Sequence, residues 1–168
     1  IACSASSEDV SKSNALLLKT KNGGKTWKKV YQSKRPFETT WKVSFPTEKV
    51  GYVTIQSYNP DPNVKQQRIA KTTDGGKSWK QTLFVDETTG AVEMDINPKN
   101  PNELYVSTWH RIRKAWNFTE GGKSSGIYKS NDGGNSWKLL TNEGSGFPQG
   151  DGIGRIGLAI YPQNPTVV

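Results

Sequence analysis

The sequence is poor in the residues that usually announce chemistry. It holds one cysteine and one histidine in 168 residues. A lone Cys3 excludes an internal disulfide framework and leaves the redox compartment open. A lone His110, with no second imidazole near it, removes the usual transition-metal ligand sets, so neither a metal nor a cofactor is expected. Hydrophobic residues make up only 32% of the chain. No apolar run approaches the roughly 18 residues of a membrane span. Neither an initiator methionine nor a charged-then-apolar leader opens the chain, so a mature, trimmed or excised polypeptide is expected.

Glycine (17) and tryptophan (6), by contrast, are plentiful. This mixture suits many short strands joined by tight turns, with a few large aromatics filling the interior. The net charge is +8, a balance that favours acidic partners. The lysines are scattered, often as Gly-Lys-Ser/Thr-Trp inside turns. No dense basic block marks a nucleic-acid site, and a solvated basic surface is expected.

The strongest signal is internal repetition. Thr20-Lys-Asn-Gly-Gly-Lys-Thr-Trp27, Thr72-Thr-Asp-Gly-Gly-Lys-Ser-Trp79 and Ser130-Asn-Asp-Gly-Gly-Asn-Ser-Trp137 recur with a period of roughly 50 to 60 residues. A second marker lies between them: Phe45-Pro46 through Tyr52-Val53, Ile96-Asn-Pro98 through Tyr105-Val106, and Ile160-Tyr-Pro162 through Val168. Each copy follows an alternating stretch, namely Trp41/Val43/Phe45, Val92/Met94/Ile96 or Ile156/Leu158/Ile160. Period-two apolar residues ending in a proline-rich turn predict strand, turn, strand.

Each unit therefore holds four strands, A to D, best defined as 91–97, 103–110, 126–131 and 137–141. The expected fold is all-β, built from four-stranded antiparallel β-propeller blades, with about three blades' worth of sequence. Residues 1–39 supply strands B, C and D of one blade, 40–84 a full blade, 91–141 another, and 155–168 a strand A with the start of a B. The chain thus begins and stops inside B strands. The expectation is association of copies or membership of a longer chain, because three blades cannot close a ring. Ile1 to Thr20 aligns without a gap with Val53 to Thr72, which conflicts with acylation of Cys3 as a lipoprotein.

The turns are readable chemically. Asp74 and Asp132 are placed to accept hydrogen bonds from backbone N–H groups of their own turns, and Asn22 can do so without charge. The second glycine, Gly24, Gly76 or Gly134, suits a positive φ that lets the C–D hairpin close. Trp27, Trp79 and Trp137 are expected to fold over the turn and cap the apolar layer. One carboxylate per turn, in three separate turns, argues against reading these aspartates as catalytic or metal-binding.

The motif Ser/Thr-x-Asp-x-Gly-x-Ser/Thr-Trp resembles the Asp-box, or bacterial neuraminidase repeat, of Asp-box propeller proteins. Residues 82–168, with Asn-Pro-x-x-Leu-Tyr-Val-Ser-Thr-Trp and Ser-Gly-Ile-Tyr-Lys-Ser-Asn-Asp-Gly-Gly, most resemble bacterial sortilin-like propellers. That resemblance implies an extracellular or cell-envelope location. Residues 1–81, with Phe45-Pro-Thr-Glu-Lys-Val-Gly-Tyr-Val, resemble photosystem II assembly-factor-like propellers. The two halves differ in style, which allows a junction within Thr72–Trp79. Such propellers include sialidases, other glycosidases, receptors and assembly factors, and fold alone does not choose among them. Nothing matches the sialidase arginine triad and tyrosine nucleophile, so no catalytic residue is carried over.

Strand parity places the D–A and B–C connections at one end of the blades. That end receives the long segments Ser7–Asn14, Tyr31–Thr40, Tyr58–Gln67, Val85–Gly90, His110–Ser125 and Thr141–Gly154, and function is expected there. Its richest stretch supplies the candidate ligand-binding residues Trp109, Arg111, Arg113, Lys114 and Trp116. Either they engage a sugar, carboxylate or acidic peptide, or the two tryptophans pack the loop down while the cations stay solvated. Glu93, Asp95 and Asp151 are the catalytic candidates, because glycoside hydrolysis needs two carboxylates facing one cleft. The competing reading ties Glu93 or Asp95 to a neighbouring blade. Asn117-Phe-Thr119 is a glycosylation sequon, meaningful in a eukaryotic secreted setting. Gly150-Asp-Gly-Ile-Gly-Arg155 lacks the Gly-Lys-Ser/Thr ending and following helix of a phosphate loop. The function expected is non-enzymatic binding or scaffolding of a protein or peptide, with carbohydrate binding or hydrolysis as the alternative.

Overall fold

A computed structural model describes residues 1–61, 67–114 and 116–168, and the side chains of all of these except Gln67 and Lys114. The chain forms two compact units, residues 1–81 and 82–168. No helix among the described residues is long and apolar enough to cross a membrane.

In the first unit, β1 (Ala2–Ala5), β2 (Ala15–Lys19) and β3 (Lys28–Gln32) form an antiparallel sheet in that order. A single 3-10 turn, Val10–Lys12, lies between β1 and β2. A second sheet follows as a four-stranded meander: β4 (Glu38–Ser44), β5 (Gly51–Ser57), β6 (Gln67–Thr72) and β7 (Lys80–Leu83). The two sheets pack over Ala15 and Leu17 of β2 and Val53, Ile55 and Ala70 of β5 and β6. Burying each large aliphatic side chain there contributes about 1.5–3 kcal/mol. Trp79 closes one side of this core, edge-on to Tyr31 and Phe45 at 5.8 and 5.9 Å. Thr40 stitches the sheets together. Its hydroxyl lies 3.0 Å from Ser4 O and 2.9 Å from Leu16 O, and accepts from Ser4 N at 2.8 Å.

The second unit repeats the meander with β8 (Thr89–Ile96), β9 (Leu104–His110), β12 (Gly126–Ser130) and β13 (Lys138–Leu139). Between β9 and β12 the chain inserts a separate hairpin, β10 (Ile112–Lys114) and β11 (Asn117–Thr119), which the sequence pattern does not predict. These four-stranded meanders are blades of a β-propeller.

The expected inward alternation Trp41/Val43/Phe45 fails at its first member. Both first strands carry a β-bulge, between Thr40 and Lys42 in β4 and between Ala91 and Glu93 in β8. The extra residue breaks the period-two pattern. Trp41 is 51% exposed, whereas Val92, at the same bulged rung, is only 8% exposed. Residues 155–160 differ too: they alternate in burial as a strand would, yet they pair with no described segment in a ladder. Side-chain bonds hold them instead. Ser107 Oγ donates to Ile156 O at 2.7 Å, and Ile160 N donates to Asp95 at 2.8 Å. The bond that closes the turn after β8, Asn97 N to Glu103 O at 3.0 Å, recurs as Tyr161 N to Val167 O at 3.0 Å.

Candidate functional site

At the Trp-turn ends of the blades, side chains are occupied locally. Asp74 accepts from Lys77 N and Ser78 N at 2.8 and 2.9 Å and from Ser78 Oγ at 2.6 Å. Asp132 does the same with Asn135 N, Ser136 N and Ser136 Oγ. Asn22 takes Thr26 N at 2.9 Å, and its amide donates to Thr26 Oγ1. Hydrogen bonds, led by the Ser78 and Ser136 hydroxyls, hold the Asp74 and Asp132 carboxyls well below the usual range. Both glycines of each turn, not the second alone, adopt positive φ: 67° and 90° at Gly23 and Gly24, 75° and 92° at Gly75 and Gly76, 69° and 79° at Gly133 and Gly134. Trp79 Nε1 donates to Gly76 O at 3.1 Å, Trp27 lies over Gly24 but stays exposed, and Trp137 is half-buried.

The opposite end of the second unit is built differently. β9 runs past His110 into the β10–β11 hairpin, which Arg111 N ties to Thr88 O at 3.1 Å. Cross-strand pairing sets Arg113 opposite Phe118 and Lys114 opposite Asn117. The Arg111 guanidinium lies 5.1 Å from the Trp109 ring centre and 5.5 Å from that of Phe118, and Arg113 lies 5.7 Å from Phe118. These are cation–π distances. Trp109 is half-buried, and its indole N–H donates to Glu120 O at 2.5 Å. Trp116, at the hairpin tip, is 83% exposed, and Phe118 is 46% exposed. One tryptophan thus packs the loop and the other faces outward. The Lys114 side chain lies outside the described part, as do residues 62–66 of the Tyr58–Gln67 connection.

No family model matches the chain, and no curated protein matches it. Solved structures similar to it include the following two. One is YCF48 bound to a D1 peptide, at 21% identity over 83% of this chain and 40% of that one, with a TM-score of 0.41. The other is an α-L-arabinanase of Penicillium chrysogenum complexed with arabinobiose, at 14% identity over 88% of this chain and 46% of that one, with a TM-score of 0.48. The chain spans less than half the length of either.

Beneath the hairpin, a polar network joins three segments distant in sequence. Asp86 accepts from Thr88 N and Thr88 Oγ1 at 2.8 and 2.9 Å and from Thr89 Oγ1 at 3.0 Å. Thr89 Oγ1 lies 2.5 Å from Ser124 Oγ. His110 Nδ1 lies 3.2 Å from Thr88 Oγ1 and 3.3 Å from Ser124 Oγ. Burial pushes the Asp86 carboxyl up, but hydrogen bonds from Ser124, Thr88 and Thr89 outweigh it and hold the group below its ordinary value. Burial, then the Asp86 charge, raises the Tyr128 phenol. Gly122 packs on the imidazole so closely that a Cβ there would meet the ring at 2.6 Å. The segments Val85–Gly90 and His110–Ser125 place all five residues at this end, but nothing in the sequence distinguishes Thr88, Thr89 and Ser124 from ordinary loop hydroxyls.

Of the three catalytic candidates, Glu93 and Asp95 share one face of β8 and Asp151 lies on a separate loop. Glu93 accepts from Arg155 Nη2 at 3.0 Å. Asp95 accepts from Ile96 N and Ile160 N. Both therefore fasten residues 155–160 to β8. Asp151 is exposed on the 140–154 loop, whose backbone packs against Gly121. No group of three or more His, Cys, Asp or Glu among the described residues could hold a metal ion.

Proposed function

We propose that residues 82–168 present a protein- or peptide-binding surface at their long-loop end, and that the chain is a non-enzymatic binding or scaffolding propeller segment. The observation that carries this reading is the β10–β11 hairpin, which holds Trp116 and Phe118 outward with Arg111 and Arg113 stacked on the aromatic rings. Tryptophan and arginine dominate the energetic centres of protein interfaces. A guanidinium stacked on a ring is already oriented, so less freedom is lost when it takes a carboxylate. With a net charge of +8, the partner that fits is acidic.

Carbohydrate binding is the second reading, favoured by the exposed Trp116 ring, a flat apolar face of the kind on which a sugar stacks. Hydrolysis gains less support, because Glu93 and Asp95 spend oxygens on Arg155 and Ile160 N. The test is fluorescence titration with synthetic peptides of about ten residues that combine Asp and Glu with Tyr or Leu, alongside xyloglucan and sialoside oligosaccharides. Peptide binding is expected to weaken roughly tenfold or more in Trp116→Ala and Arg113→Ala. Those changes should shift stability by no more than about 0.5 kcal/mol. Binding of sugars alone, or sugar cleavage lost with Glu93→Gln, Asp95→Asn or Asp151→Asn, would overturn the reading.

A further inference from the structure

The hydroxyl network around His110 has more oxygen–oxygen contacts than hydroxyl protons. Four oxygen–oxygen contacts compete for a hydrogen: Asp86 to Thr88 Oγ1, Asp86 to Thr89 Oγ1, Asp86 to Ser124 Oγ, and Thr89 Oγ1 to Ser124 Oγ. Ionised Asp86 brings none, so the three hydroxyl protons of Thr88, Thr89 and Ser124 are all consumed. The two hydroxyl oxygens nearest His110 Nδ1, at 3.2 and 3.3 Å, then have only lone pairs to offer. Nδ1 must carry the imidazole proton. In the neutral ring that leaves Nε2 as a bare acceptor, and Nε2 has no hydrogen-bond partner among the described residues. Gly122 packed on the ring and Ser125 Oγ accepting from His110 N fix its position.

We propose that His110 is a fixed hydrogen-bond acceptor of the binding end: Asp86, acting through Thr88, Thr89 and Ser124, sets the Nδ1–H tautomer, and Nε2 takes an amide N–H of the bound peptide. This rests on the peptide-binding reading above. Asp86 is a positioning residue here. It reaches the imidazole only through hydroxyl groups, as an outer carboxylate orients a ligating histidine. The arrangement is not a nucleophile relay, since the carboxylate bonds to the hydroxyls and not to the ring.

The single histidine makes the test direct. In 15N-labelled protein the two ring nitrogens give unambiguous signals. At neutral pH Nδ1 is expected to be the protonated nitrogen, and adding the acidic peptide should move the Nε2 resonance. Asp86→Asn, or the milder Ser124→Ala should the former not fold, is expected to mix the tautomers and weaken peptide binding roughly three- to tenfold. His110→Asn should weaken it similarly, whereas His110→Gln, whose amide reaches the Nε2 position, should recover most of the affinity. A proton on Nε2 in the free protein overturns the proposal even where the peptide binds. So does peptide binding that leaves Nε2 unmoved. If Nδ1 carries the proton and no acidic peptide binds, the peptide-binding reading itself has failed, and the ligand assigned here fails with it.

Discussion

Residues 38–83 and 89–139 build the same meander, bulged at the same rung, and turn the same glycine–tryptophan corner. They part company at the other end. Where β4 opens, Glu38 faces Ser57 across the sheet and is gripped by Arg68 through both carboxylate oxygens, with its side chain fully buried. Where β8 opens, the matching residues are Thr89 and His110, and the charge has moved out to Asp86 on the preceding loop. The rung that carries Arg68 in one blade carries Gly126 in the other. There the missing side chain lets Thr141 close in and accept from Ile127 N at 3.1 Å. One blade closes its end with a buried ion pair, and the other holds an imidazole in a hydroxyl network and carries a projecting hairpin. A shared scaffold thus tolerates quite different ends, because the corner and the strands already meet their own bonding needs.

The sharpest way to break this comparison is at the ion pair. Arg68→Met strands a buried carboxylate and is expected to cost about 3–5 kcal/mol in urea denaturation. Replacing both partners, Glu38→Leu with Arg68→Met, should recover most of it. A loss below about 1 kcal/mol in the single variant would show that the pair does not anchor this end. Next in size is Gly126→Ala. The new methyl would lie 2.5 Å from Thr141 Oγ1 and 3.0 Å from Leu139 Cδ1. Overpacking of this kind costs about 1–3 kcal/mol, and a double-mutant cycle with Thr141→Ala should show clear coupling between the two sites.

The smallest effect concerns the corners. Asn22→Asp would give the first turn the carboxylate of the other two. Because Asp74 and Asp132 are held below the ordinary carboxylate range, the same environment should depress the introduced carboxyl. A depressed folded value stabilises above the unfolded pKa of about 4 and is lost as pH falls through the folded one. The melting temperature of the Asn22→Asp variant relative to the parent protein should therefore fall on acidification from about pH 7 to about pH 2.5. A difference independent of pH would mean that the first turn does not reproduce the others.

Much of the fold is legible in the sequence because the corners are written in local chemistry. Asp74, Gly75, Gly76 and Trp79 fall within one short segment, and their contacts follow from spacing alone. The bulges are not legible: Trp41 and Val92 sit in ordinary alternating stretches, and only the cross-strand register shows that each is the residue out of step. The β10–β11 hairpin escapes as well, since its strands are three residues each, too short for a period-two pattern. The site divides along the same line. Trp109, Arg111, Arg113 and Trp116 attract notice as a run, but which tryptophan packs and which projects depends on Glu120 O, reached only after the hairpin folds back. The Asp86–Ser124–His110 network joins residues from separate segments through hydroxyls that no motif distinguishes.

The Trp-turn corners have one more consequence. From Thr72 to Ser78 nearly every polar group finds its partner inside the same few residues. Such a corner is portable. A chain spliced there would keep most of its polar bonding within the corner, leaving the Gly75 N to Lys49 O bond, the pairing of Thr72 with Gly51 and the apolar contacts of Trp79 to be remade. Exchange of whole blades between unlike propellers is physically cheapest at this point.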